Sequence, residues 1–133
     1  MHVLYNFGIC LFSILLRIIS PFHAKARMGV LGRKNWKSKV KEIPKNKKVI
    51  WFHCASLGEF DQGLPVMNSL KLKNPELFLL VTFFSPSGML HYNKRSHVID
   101  LAMYLPYDTP RNVDFFIKKV NPTLVFFVKY EFW

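Results

Sequence analysis

Trp51-Phe52-His53-Cys54-Ala55-Ser56-Leu57-Gly58-Glu59-Phe60 is the stretch whose reading decides the fold. Val49 to Phe52 is a short apolar run, as a buried parallel strand presents. Small residues end it, and a helix signal follows at once. Ser56 and Glu59 have the S-x-x-E spacing of a capping box, whose two side chains satisfy backbone N–H groups at a helix start. Gly58 lets the backbone come close to another group. A strand, a tight turn and a helix start form the junction at which open α/β sheets bind ligands. Glu59 then has two readings. It caps the helix and complements its dipole, or it faces a ligand crevice as a general base. His53, at the strand end, either lines that crevice or packs as a structural histidine.

Outward from this junction, strands alternate with helices. Lys48–Cys54 reads as the first strand. Gly58–Lys73 reads as a helix, with Phe60, Leu64, Met67 and Leu70 near helical spacing and Pro65 as a kink point. Leu77–Phe84 is a continuous apolar strand, as expected of a sheet covered on both faces. Ser85-Pro86-Ser87-Gly88 repeats the strand-end, turn and helix-start pattern, with Pro86 suited to the first helical position. Its N–H groups and hydroxyls suit an anionic ligand, or Ser85 is a plain cap. Val98–Tyr104 is the third strand. Asp108 or Thr109 caps a helix over Pro110–Val120, whose inner face is Val113, Phe116, Ile117 and Val120. Thr123–Val128 is the fourth strand. The alternation predicts a parallel sheet, with Ser56–Glu59, Ser85–Gly88 and Lys129–Glu131 meeting at one edge.

The N-terminal third differs. Val3–Ile19 is mostly apolar and as a helix is about 26 Å long, slightly short of the ~30 Å hydrocarbon core. It either spans marginally or lies in one leaflet, with Arg17 snorkelling at its end; packing on its own domain is the other reading. Pro21 stops it, and residues 23–47 read as a basic connector with one helical turn. Residues 1–48 hold eleven Lys and Arg against Glu42 alone, whereas residues 49–133 hold eight basic and seven acidic side chains. A nearly neutral globular part with a basic arm argues against nucleic acid and for an anionic membrane surface. Cys10 and Cys54 make no disulfide framework and fit a reducing compartment. No spacing suggests a metal site, and no glycine-rich motif marks a self-sufficient nucleotide site.

Four patterns agree in order and spacing with one family. Trp51-Phe52-His53-Cys54-Ala55-Ser56-Leu57-Gly58-Glu59 resembles the W-x-H-x-x-S-x-G-E signature of the Kdo (3-deoxy-D-manno-octulosonic acid) transferases. Thr82-Phe83-Phe84-Ser85-Pro86-Ser87-Gly88 resembles their T-x-x-(S/T)-P-(S/T)-G, Leu105-Pro106-Tyr107-Asp108-Thr109-Pro110 their L-P-Y-D-x-P, and Glu131-Phe132-Trp133 their E-x-W. The resemblance implies the N-terminal half of a glycosyltransferase-B fold. Residues 1–22 would be a membrane-anchor helix, 23–47 the connector and 48–133 a Rossmann-like acceptor-side domain. The donor-binding C-terminal domain, which would hold CMP-Kdo, lies outside these residues, so this chain by itself is expected to be inactive. The implied reaction is transfer of Kdo from CMP-Kdo to lipid A precursor (lipid IVA) in lipopolysaccharide core synthesis. It would occur at the cytoplasmic face of the inner membrane, without metal or cofactor. Glu59 falls on the family's proposed base. Ser56 and Gly58 shape the turn, and Ser85, Ser87 and Gly88 offer donors to an acceptor phosphate or the donor's sugar acid. Glu131 is a second crevice carboxylate. Lys129 replaces an acidic residue common in the family two positions before Glu131, so no acidic role transfers there. The alternative function is a non-catalytic, membrane-tethered lipid-binding module.

Overall fold

The structure, a computed structural model, describes residues 2–129. Its order is α1 (His2–Ile19), α2 (Ala24–Gly32), α3 (Trp36–Lys41), β1 (Val49–Cys54), α4 (Leu57–Lys73), β2 (Phe78–Phe83), α5 (Pro86–His91), a 3-10 turn (Tyr92–Lys94), β3 (Leu101–Tyr104), α6 (Pro110–Val120) and β4 (Leu124–Phe127). The four strands are parallel and ordered β3-β2-β1-β4. Trp51 pairs in register with Leu80 on one side and Val125 on the other. The chain moves outward from β1 through β2 to β3, then returns to the opposite side of β1. That reversal between β1 and β4 is the switch point of the sheet.

Side-chain alternation along β1 feeds two cores. Val49 and Trp51 join Trp36 and Val40 of α3 and Phe116 and Val120 of α6. Ile50, Phe52 and Cys54 join Phe60 and Met67 of α4 with Leu79, Val81 and Phe83 of β2. The sheet is thus covered on both faces, which is why its central strands read as continuous apolar runs. Aromatic edges stitch the first layer: the Trp51 and Phe116 rings lie 4.9 Å apart and those of Trp36 and Phe115 5.5 Å. Gly88 packs tightly in the second, because a Cβ there would come within 2.1 Å of the Phe83 ring.

Several expectations are corrected. The basic connector is two helices, α2 and α3, not one turn. Its glycines are contact points rather than breakers: a Cβ on Gly32 would meet the Tyr104 ring at 2.0 Å. The third strand is shorter than expected, because residues 98–100 run irregularly before Leu101. Ile117 is exposed, while Phe115 packs on Trp36. No side-chain cap holds the start of α6, since Thr109 makes no such bond and Asp108 accepts from the Tyr5 hydroxyl instead. Among the described residues, no helix is long and apolar enough to cross a membrane, so the spanning reading of α1 falls. Asn6, Ser13 and Arg17 dilute its apolar content over only 18 residues. Cys10 and buried Cys54 are not joined by a disulfide.

Candidate active site

Because the strands are parallel, their carboxyl ends lie on one side of the sheet. Helix α4 begins directly after β1, beside the switch point. Ser56 is its N-cap, with φ −135° and ψ 173°, and its hydroxyl accepts from the Glu59 N–H over a long 3.4 Å. The return bond of the box reaches one residue further back than usual: a Glu59 carboxylate oxygen accepts from the Ala55 N–H. The carbonyl of Ala55 in turn accepts from the Ser85 N–H at 2.8 Å. Ala55 therefore laces the β1–α4 turn to the β2–α5 turn. On the other side, Val128 N–H donates to the His53 carbonyl at 3.0 Å, extending the β1–β4 pairing to the crevice.

The carboxylate of Glu59 is half-buried and held in place by one backbone donor, in the first turn of a 17-residue helix whose dipole favours negative charge. Gly58 next to it is exposed, and a Cβ there would meet nothing within 4 Å. A side chain at Gly58 would therefore meet no other part of the domain. Glu59 is bonded as a cap of the β1–α4 turn and remains partly exposed.

The other candidates separate. Ser85 caps α5 by accepting from the Ser87 N–H at 3.3 Å, and the two hydroxyls lie 3.0 Å apart. Gly88 is buried against Phe83, where any side chain would clash with the ring. His53 is buried to 1% exposure and its Nδ1 shares a 2.9 Å hydrogen bond with the Thr82 hydroxyl, which also accepts from Trp51 Nε1. Among the described residues it is held as an interior histidine rather than exposed at the strand end. Lys129 closes β4 with φ 97°, a backbone conformation that costs a non-glycine residue energy. Glu131, with the rest of the E-x-W motif, lies outside the described residues. Among the described residues, no group of three His, Cys, Asp or Glu side chains could hold a metal ion.

Sequence reasoning missed Arg33. It belongs by sequence to the basic connector, yet it is only 7% exposed. Its guanidinium donates to the carbonyls of Leu105 and Phe84 at 2.8 Å and of Gly29 at 3.0 Å. It also lies about 5 Å from the ring centres of Phe84, Tyr104 and Tyr107. Burial pushes its pKa below the ordinary guanidinium value, partly opposed by the nearby tyrosines Tyr107 and Tyr104. Arg33 pins α2 to the ends of β2 and β3. The available signal was Gly29 and Gly32 flanking it, small residues where helix and sheet meet closely.

A doubly wound parallel sheet with a carboxylate at its switch point defines a Rossmann-like ligand-binding domain. The family model described as 3-deoxy-D-manno-octulosonic-acid transferase (kdotransferase) matches residues 24–133. The 3-deoxy-D-manno-octulosonic acid transferase of Aquifex aeolicus (strain VF5) is 36% identical over 94 residues, 70% of this chain and 26% of that protein. A probable mitochondrial 3-deoxy-D-manno-octulosonic acid transferase of Arabidopsis thaliana is 29% identical over 85 residues, 64% of this chain and 19% of that protein. The enzyme of that name from Rickettsia felis is 28% identical over 87 residues, 65% and 19% of the two chains. No solved structure matches. The chain belongs to the 3-deoxy-D-manno-octulosonic-acid transferase family, and its matched stretch spans about a quarter or less of these relatives' lengths.

Proposed function

We propose that this chain is the acceptor-side domain of a glycosyltransferase that moves Kdo from CMP-Kdo to a lipid A precursor, with Glu59 as general base. The observation that carries this is the Glu59 carboxylate itself: half-buried, tethered through Ala55 N–H after the carboxyl end of β1, and next to the exposed Gly58. A base must reach the hydroxyl it deprotonates, and a carboxylate pinned at a crevice lip meets that demand without losing rotamer freedom on binding. Glu59 takes the proton of a glucosamine 6-hydroxyl as that oxygen attacks the donor's anomeric carbon, and CMP leaves with the bonding pair. Ser85 and Ser87 donate to an acceptor phosphate or to the sugar acid, and Glu131 adds a second carboxylate. A C-terminal donor domain, completing a glycosyltransferase-B fold, holds CMP-Kdo. The reaction in this reading uses no metal and no cofactor.

Helix α1 supports placing the protein on the cytoplasmic face of the inner membrane. Leu4, Phe7, Leu11, Ile14 and Ile18 recur at helical spacing and are all exposed. A helix with such a stripe, followed by Arg17, Lys25 and Arg27, lies in the interface with its cations against anionic headgroups. The test is Glu59→Gln in the protein of the complete reading frame, assayed with CMP-Kdo and lipid A precursor in vesicles. Transfer should fall at least ~10²-fold with an unchanged melting temperature. Normal transfer by that variant would remove Glu59 from the mechanism.

A further inference from the structure

At the carboxyl edge of the sheet the strand ends stand in the order β3, β2, β1, β4. The turn that carries Glu59 therefore lies between the Ser85 turn on one side and the end of β4 on the other. The pairing of His53 with Phe127 is continued by the bond from the Val128 N–H to the His53 carbonyl. The same register sets Lys129 opposite Ala55, the residue whose N–H holds Glu59. Val128 is fixed from another side by α4, where a Cβ on Gly63 would come within 3.1 Å of a Val128 methyl. Lys129 follows with φ 97° and is exposed, and among the described residues no carboxylate pairs with it. A strained backbone that its neighbours hold in place is a feature of functional positions. In the stretches that follow the four strands, 55–59, 84–88, 105–109 and 128–129, the charged side chains are Glu59, Asp108 and Lys129. Arg33 is bonded to carbonyls at the ends of β2 and β3, on the far side of β1 from β4.

We propose that Lys129 is a specificity-determining residue whose ammonium receives the carboxylate of the donor's sugar acid in the crevice between β1 and β4. The inference rests on the transferase reading and adds a residue to its site. Kdo carries its carboxylate on the anomeric carbon, the atom under attack, so that anion must come close to the Glu59 base. Two carboxylates brought together in a crevice repel each other, and a cation beside them offsets this. Lys129 is the cation that the four strand ends supply, and its backbone stands at the switch point, where open α/β sheets bind their ligands. The neutral hydroxyls of Ser85 and Ser87, on the other side of the Glu59 turn, can donate but bring no counter-charge. An acidic residue at this position would oppose the donor's carboxylate, so the lysine gives this chain a hold on its donor that a relative with an acid there lacks. The carboxylate keeps its charge throughout transfer. The contact therefore holds donor and transition state alike, and acts on donor binding rather than on the rate of the bound complex.

The test uses the protein of the complete reading frame with CMP-Kdo and lipid A precursor in vesicles. Lys129→Met should raise the KM for CMP-Kdo about tenfold or more. Its kcat and its KM for the acceptor should stay within about threefold of the original. Lys129→Arg, which keeps the charge, should stay within about threefold in every constant. Lys129→Gly should match Lys129→Met in donor KM, with a melting temperature at or above the original's, since glycine takes this φ without steric cost. That variant decides the matter even if Lys129→Met fails to fold. CMP should inhibit all four proteins equally, because it lacks the sugar acid. CMP-Kdo with its carboxylate converted to the amide should show the same KM with the original and with Lys129→Met. An unchanged donor KM in Lys129→Met and Lys129→Gly, or a rise confined to the acceptor KM, overturns the assignment. Transfer lost in Glu59→Gln but undisturbed by Lys129→Met would spare the base and remove the lysine, whereas an unmodified protein that makes no transfer from CMP-Kdo would remove both.

Discussion

All six residues of β1 are buried, whereas Leu4, Phe7 and Ile18 of α1 keep 81%, 68% and 61% of their surface exposed. In sequence both stretches are apolar runs, and nothing in hydrophobicity alone separates them. Their fates differ because β1 sits between β2 and β4 with helices on both faces, while α1 rests on one layer only. Its inner side meets α2 and the loop after β3, through the Phe12–Tyr107 ring contact and the Tyr5–Asp108 hydrogen bond. Among the described residues, no element covers the outer side of α1. An apolar surface of that extent on a folded domain marks an interaction site rather than a core.

Substitutions can break or sharpen this contrast. The largest effect should come from β1: Trp51→Ala deletes a fully buried ring and its bond to Thr82, and should cost about 3–5 kcal/mol in urea denaturation. A loss under about 1 kcal/mol would mean that the two cores are not as continuous through β1 as its alternation implies. Next comes the pin between the two regions. Arg33→Met leaves three carbonyls without their donor and should cost about 2–4 kcal/mol. Hydrogen exchange should quicken first in α2, with β1 and β2 amides still protected. Uniform quickening would show that α1 and α2 belong to the same cooperative unit as the sheet. The smallest effect on folding belongs to the outer face of α1. Leu4→Ser with Phe7→Ser should change stability by no more than about 0.5 kcal/mol, while lowering partition into anionic vesicles about 10²-fold. Vesicle binding unaffected by that pair would remove the membrane role of the stripe.

Much of the sheet was readable because its signals are local. Pro110 at a helix start and Asn121-Pro122 at its end bound α6 as Pro110–Val120, and Asn121 does take the left-handed conformation that ends a helix, with φ 43°. The S-x-x-E spacing located the helix start after β1, although its return bond goes to Ala55 rather than to Ser56. The basic segment was misread for a physical reason. Helices α2 and α3 hold few apolar anchors, chiefly Trp36 and Val40, and their glycines and lysines look like linker until a sheet edge is present to pack against. Arg33 was hidden by the same composition, since its partners are carbonyls far along the chain, Phe84 and Leu105.

By itself the sequence determined the element types from β1 onward, the parallel sheet and the family, because strand runs, caps and motif spacings act within a few residues. It also determined that a carboxylate follows the first strand. Only the tertiary structure decided that β4 lies on the far side of β1, which puts Glu59 beside the switch point. The fold likewise decided that His53 is interior, that one arginine of the basic arm is buried, and that α1 is left with an open apolar face. Those outcomes depend on which elements pack together, and side chains distant in sequence meet only when the sheet order brings them there.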